Sequence, residues 1–264
     1  MTTDGRLDRP AFDAWIVDLE RRHLADLTPT EVARALRALS STYVERRARL
    51  SGRGAFDTAG KRAAYALYYA PRRFLTVTEV LTRLAFDVGP RLISDVGCGT
   101  GAAGAAWALH AGQGSRVVGL DVHPWALDES RATYRTLGVS GEARRHTLGP
   151  RDTLAWLAPP GGAAARLARG AMLSYVVNEL SDDDRAALLP ALLAAAAKGT
   201  RVVVLEPLSR KTSPWWSRWA DAFTTAGGRA DEWRVALDLP RITAALGQAA
   251  GLDAAAATLR SLVL

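Results

Sequence analysis

The sequence predicts an α/β protein: a doubly wound, largely parallel sheet with helices on both faces, behind a helical N-terminal cap. Three observations carry this. Residues 91–104, RLISDVGCGTGAAG, read as an apolar strand, a glycine turn and the start of a helix. After residue 91, strand-length apolar runs alternate with helical stretches, the succession of a parallel sheet covered on both faces. Before residue 87, apolar residues recur at helical spacing.

The elements follow in order. AFDAWIVDLERRHL and PTEVARALRALSSTYVERRARL read as amphipathic helices, the second with an N-cap at Thr28 or Thr30. Residues 51–60 read as a loop. A third helical stretch starts at Lys61 and carries Tyr65, Tyr68 and Tyr69 just before Pro71, which is expected to break or kink it. Strand one spans 91–97, with its helix at 101–111. Strand two spans 116–122, with its helix at 124–137. A short third strand falls within 141–149, then a helical turn (RDTLAWLA) and a PPGG loop. Strand four spans 171–180. The helix after it is capped by Ser181 and acidic in its first turn, as a helix N-terminus prefers. Strand five spans 201–207. A last helix, LPRITAALGQAAG, precedes RSLVL, expected as an edge strand.

A length of 264 residues fits a core with a smaller appendage, here a cap at 1–86 and a nucleotide-binding core at 87–264. No apolar run approaches the roughly 20 residues of a membrane span. The first residues lack an apolar segment of signal-peptide type, so a cytoplasmic setting is expected. The single cysteine, Cys98, excludes an internal disulfide and any multi-cysteine metal site. The four histidines show no ligand spacing, and no metal is expected. Net charge is +7, more than half of the excess lying in residues 1–90, which is compatible with a nucleic-acid partner.

Two ligands suit the glycine turn. Gly99, Gly101 and Gly104 form a GxGxxG, a pattern that fits a dinucleotide. The longer register Asp95-x-Gly97-x-Gly99-x-Gly101 resembles motif I of class I S-adenosylmethionine (SAM) methyltransferases, and the acid at the strand end favours that reading: it can meet the ligand's ammonium, whereas a pyrophosphate gains nothing from it. Asp121, at the tip of strand two, can accept ribose hydroxyls as in other doubly wound nucleotide folds. Val122 and Trp125 are candidates to cover the adenine; Trp125 equally fits ordinary core.

YYAPRRF before motif I, SYVVNEL at strand four, LEP at strand five and the terminal RSLVL together resemble the ribosomal small-subunit-associated methyltransferase-like family, over roughly residues 60–264. The resemblance implies a class I methyltransferase fold and SAM as cofactor. Many members carry a cysteine cluster for an iron–sulfur centre after strand five. Here SRKTSPWWSRWADAFTTAGGRADEW has no cysteine. The acceptor is therefore expected to be a small molecule or peptide, with RNA or the small ribosomal subunit as the other partner class. The other functional reading is an RNA-binding assembly factor that keeps the fold without catalysis.

Methyl transfer is an in-line displacement in which the enzyme mainly aligns the acceptor and excludes water. Asn178 and Glu179, expected at the end of strand four, suit a nitrogen acceptor by holding an N–H while its lone pair faces the methyl; they also fit a helix cap. Tyr175, in the same segment, and Glu206, at the end of strand five, complete the catalytic candidates. Tyr65 is a candidate lid over SAM. Tyr69, Arg72, Arg73, Trp215 and Trp216 are candidates for the acceptor site, the arginines because a guanidinium suits either the cofactor's carboxylate or an anionic acceptor. The tyrosine–arginine segment is expected to fold over the SAM pocket. Packing within helices is the alternative for the tyrosines and tryptophans.

Overall fold

In the computed structural model, the structure describes residues 8–45, 56–86, 89–147, 167–208, 213–252 and 255–264. The helical turn and PPGG loop expected at 151–162, and residues 51–55 of the expected loop, lie outside them.

Two helices open the fold, α1 (Arg9–His23) and α2 (Pro29–Glu45). The Asp8 carboxylate caps α1 by accepting from the Ala11 N–H at 3.2 Å. α2 starts with a reciprocal box: Thr28 Oγ1 accepts from the Glu31 N–H, and Glu31 Oε2 accepts from the Thr28 N–H at 2.8 Å. Phe12, Trp15, Ile16 and Leu19 form one buried stripe of α1, as their spacing requires.

The next helical stretch runs through Pro71 without a break. α3 (Ala59–Ala64) passes into a π-helical turn, Tyr65–Tyr69, and then into α4 (Ala70–Leu84). A proline lacks the N–H that would bond the carbonyl four residues earlier, and its ring crowds that carbonyl. The helix responds by widening: the Ala70 N–H donates to the Tyr65 carbonyl, five residues back. Pro71 therefore retunes the helix instead of ending it.

The sheet comprises β1 (Leu92–Val96), β2 (Arg116–Asp121), β3 (Ser140–Arg145), β4 (Arg169–Ser174), β5 (Thr200–Pro207), β6 (Arg229–Ala236) and β7 (Ala256–Val263). Their order is β3-β2-β1-β4-β5-β7-β6. The first five are parallel, and β7 runs antiparallel between β5 and β6. The helices between strands are α5 (Ala102–Ala111), α6 (Pro124–Thr136), α7 (Asp182–Ala196), α8 (Trp216–Thr225) and α9 (Arg241–Ala250). The chain leaves β1 toward β2 on one side and returns to β4 on the other. That reversal opens a crevice at the carboxyl ends of β1 and β4, where doubly wound folds bind ligands. This is the doubly wound, Rossmann-like architecture expected from the sequence, with the helical segment packed against it.

Three expectations change. RSLVL is internal, and Leu259 through Val263 are buried; an apolar run covered on both faces belongs inside a sheet. The edge is β6, which sequence reading missed because its residues, RADEWRVA, are mostly charged or exposed. Strand four ends at Ser174. Tyr175 turns to φ +64°, and residues 177–179 form a 3-10 turn, so Asn178 and Glu179 lie on a turn and not at a strand end.

The cap and the sheet share one hydrophobic cluster. It runs from Phe12, Trp15 and Phe74 through Trp107 and Met172 to Leu205 and Leu259. A half-buried ion pair adds to it: Arg22 on α1 grips both oxygens of Glu129 on α6, each at 2.7 Å.

Candidate active site

The glycine turn joins β1 to α5 at the crevice. Gly99 has φ +53°, in the left-handed region that a side chain resists, and a Cβ there would stand 3.1 Å from the Tyr65 hydroxyl. Gly104 lets α5 approach β1: a Cβ would meet Asp95 Oδ2 at 2.7 Å. In its place the Gly104 N–H donates to that oxygen at 2.9 Å.

Asp95 is the electrostatic centre. It is 1% exposed, and its other oxygen, Oδ1, is buried without a hydrogen-bond partner. Burial pushes its carboxyl up to about 7; the Gly104 bond and the Arg73 charge pull the other way. A narrow recess lies against it. The glycine turn and α5 contribute Gly97, Cys98, Thr100, Ala102 and Ala103 to its wall; β4 contributes Ser174, and the helical stretch contributes Tyr65, Tyr69, Ala70 and Arg73. The first N–H groups of a helix have no intrahelical partner, so the start of α5 offers donors here.

The π-helical turn thus lies over the glycine turn, on the side where the sequence places it. Of the two arginines, only Arg73 reaches the recess. Its guanidinium stacks on the Tyr175 ring, 3.2 Å from the centroid, and Nη1 donates to Ser174 Oγ at 3.4 Å. Arg72 turns away, with Nη2 donating to the Ala256 carbonyl on β7 at 3.1 Å. The acceptor role expected of Arg72 finds no support in that position. Burial raises the Tyr65, Tyr69 and Tyr175 phenols above their ordinary range, Tyr69 to about 12.

Asp121 stands beside the turn and holds it. Oδ2 accepts from the Gly99 N–H and Oδ1 from the His123 N–H, both at 2.9 Å. Val122, next to it, is 40% exposed. Trp125 packs on Phe56, whose ring also meets Tyr65 and His123 at centroid distances of 4.9 Å. Phe56 was not singled out in the sequence, and its place two residues before the Thr58 helix cap gave no signal.

The remaining candidates form a second cluster that does not line the recess. Glu206 is fully buried: Oε1 accepts from the Val177 N–H at 2.8 Å and the Asn178 N–H at 3.2 Å, and Oε2 accepts from Asn178 Nδ2 at 2.7 Å. Asn178 Oδ1 accepts from Ser213 Oγ and Trp215 Nε1, both at 2.8 Å. Both lone pairs of that amide oxygen are used. Trp216 lies over the Arg260 guanidinium at 4.1 Å. Asn178, Glu206 and Trp215 therefore brace one another, and neither Trp215 nor Trp216 lines the recess. Glu179 is exposed, with its charge acting on the Tyr65 phenol.

Cys98 is buried, with Sγ 3.3 Å from Ser130 Oγ, and burial raises its thiol well above the ordinary range. Its place is structural. Among the described residues, no group of three His, Cys, Asp or Glu side chains could hold a metal ion. No helix among them is long and apolar enough to cross a membrane.

A family model described as "Mitochondrial small ribosomal subunit Rsm22" matches residues 59–236, more than half of the chain. Among curated proteins none matches. Similar solved structures include a SAM-dependent methyltransferase from Aquifex aeolicus, at 12% identity over 74% of this chain and 93% of that one, with a TM-score of 0.45. Another is the Pyrococcus abyssi tRNA (uracil-54, C5)-methyltransferase in complex with S-adenosyl-L-homocysteine, at 17% identity over 72% and 38%, TM-score 0.42. A third is the mitomycin 7-O-methyltransferase MmcR, at 16% identity over 93% and 71%, TM-score 0.47.

Proposed function

The chain belongs to the Rsm22 family, and on that premise we propose that it is a SAM-dependent methyltransferase whose cofactor lies between the glycine turn and the π-helical turn. One observation carries the reading: Asp95 Oδ1 is buried and unpartnered against a recess at the crevice of the sheet. A buried polar oxygen left without a partner is costly. An ammonium supplied by the ligand would remove that cost, and the phosphates of a dinucleotide would raise it.

When bound, SAM supplies a methyl group on a positively charged sulfur that is already a good leaving group. The chain's own residues then bind, orient and exclude water. Asp95 holds the ammonium. Asp121 keeps two of its roughly four lone-pair sites for ribose hydroxyls, the other two being taken by Gly99 and His123. Val122 offers an exposed apolar surface for the adenine. Tyr65 and Tyr69 close the recess from above. Tyr175 holds Arg73, while Asn178 and Glu206 act by bracing the turn after β4.

We assign a nitrogen acceptor, carried by a small molecule or peptide. The support is the exposed Glu179 carboxylate, whose charge acts on the Tyr65 phenol, and a segment after β5 with no cysteine. The cytoplasm is the proposed setting. Incubation with methyl-labelled SAM and fractionated metabolite, peptide and RNA pools tests this reading. Label in a metabolite or peptide fraction, lost in Asp95→Ala, supports it; label confined to RNA overturns the acceptor class.

A second reading has one observation behind it, the family's small-ribosomal-subunit description. Here the chain is a non-catalytic RNA-binding assembly factor. It requires RNA affinity that falls steeply with salt and no methyl turnover with any pool. RNA binding no tighter than millimolar at physiological salt would rule it out.

A further inference from the structure

Arg73 and Asp95 set opposite charges on two walls of one recess. Among the described residues Arg73 makes no ion pair. Its partners are neutral: Nη1 donates to Ser174 Oγ at 3.4 Å, the guanidinium carbon sits 3.2 Å from the Tyr175 ring centre, and the Tyr175 hydroxyl also bonds to it. A guanidinium has five N–H donors, and these contacts use only part of them. The ring that holds it belongs to a residue with left-handed backbone, φ +64°, unfavourable for a tyrosine. Asp95 has one oxygen spent on the Gly104 N–H and the other unpartnered.

A cation with no carboxylate partner among the described residues and an anion with an unpartnered oxygen, across one recess, complement a group that carries both charges. The geometry points to Arg73 as the residue that reads the carboxylate of the cofactor's amino-acid end, while Asp95 takes its ammonium. This rests on the cofactor site proposed above and extends it. The cap, through Arg73, becomes a specificity element: it distinguishes a cofactor with an intact amino acid from the same nucleoside without one. Arg73 lies four residues beyond the π-helical turn, so the widening at Pro71 sets the face on which it emerges.

The test uses calorimetry on the full chain with two nucleosides that undergo no methyl transfer. S-Adenosylhomocysteine carries the amino acid; 5′-methylthioadenosine lacks it. Arg73→Gln should weaken S-adenosylhomocysteine about 10- to 100-fold, the size of a lost charge-assisted contact. Methylthioadenosine should change by less than about threefold, because nothing on it meets Arg73. Arg73→Lys, which keeps the charge and loses the fork, should fall between, and it carries the comparison alone if Arg73→Gln does not fold. Equal losses for the two nucleosides would make Arg73 a structural residue and overturn the inference. No loss for either would overturn it too, leaving Arg73 to the acceptor, with the cofactor site intact. A wild-type chain that binds neither nucleoside would instead overturn the cofactor site and this inference with it.

Discussion

The Thr243 hydroxyl donates to the Leu67 carbonyl at 2.8 Å, across 176 positions of sequence. Leu67 lies inside the π-helical turn, and Pro71 just beyond it brings no N–H to the ladder. Thr243, on α9, is fully buried, and its hydroxyl supplies a donor to that stretch from outside the helix. The pair ties the C-terminal helix to the turn that carries Tyr65 and Tyr69 over the recess.

Thr243→Val should cost about 1–3 kcal/mol, the penalty of a buried carbonyl without a partner. For a chain of this size that lowers Tm by about 2–4 °C per kcal/mol in a calorimetric scan. Thr243→Ser should recover most of the loss. Pro71→Ala should leave Tm unchanged or higher while weakening SAM binding, because a restored N–H lets the turn narrow and rotates Tyr65 and Tyr69.

Asp95 makes ligand binding depend on pH. Burial raises its carboxyl from 3.8 to about 7 in the ligand-free fold. The group's stabilising share is fully present below pH 3.8 and is lost as pH rises to about 7. Binding needs Asp95 ionised and the ligand amine protonated, so SAM affinity should rise with pH up to about 7 and fall again above about 8, where an ordinary α-amino group loses its proton. Calorimetry between pH 5.5 and 8.5 checks this, and Asp95→Asn should remove the rise along with most of the affinity.

The Arg22–Glu129 pair should hold the cap to the core. Burial pushes the Glu129 carboxyl up, but hydrogen bonds from His23 and Arg22 outweigh it and leave the carboxyl below the usual range. Its stabilising share is present above the ordinary glutamate pKa and is lost as pH falls through the lowered value. Glu129→Gln should cost toward the lower end of about 3–5 kcal/mol, since Arg22 keeps 25% exposure. Urea titration at pH 7 and at pH 3 should show the gap between wild type and variant closing in acid.

The Asn178–Glu206 brace should act through position. Asn178→Ala frees Ser213 and Trp215 from their shared acceptor. Turnover should fall while the pH profile of kcat keeps its shape. A changed profile would make Asn178 or Glu206 part of the proton chemistry.

The parts of this site that short-range backbone geometry dictates are legible in the sequence. Asp95-x-Gly97-x-Gly99-x-Gly101 shows because the turn demands glycines, and Ser181 shows because a helix start demands a cap. Other parts depend on distant partners. The π-helical turn takes a bond from Thr243, 176 positions away from Leu67, and nothing near Pro71 announces it. Arg72 and Arg73 are neighbours in sequence, but adjacent helical residues point about 100° apart, and the π turn shifts that phase. The end of β4 depends on Tyr175 adopting a left-handed backbone, which residue type disfavours. β6 lacked an apolar pattern because its contribution is to cover the edge of β7.

Calorimetric titration of the full chain with SAM, beside NAD, decides whether Asp95 and the glycine turn form a SAM site. The wild type should bind SAM at micromolar concentration and NAD not at all. Gly99→Arg should abolish SAM binding, because it drives a side chain from a strained backbone into Tyr65. Tight NAD binding without SAM binding, or SAM binding that survives in Gly99→Arg, would contradict the account.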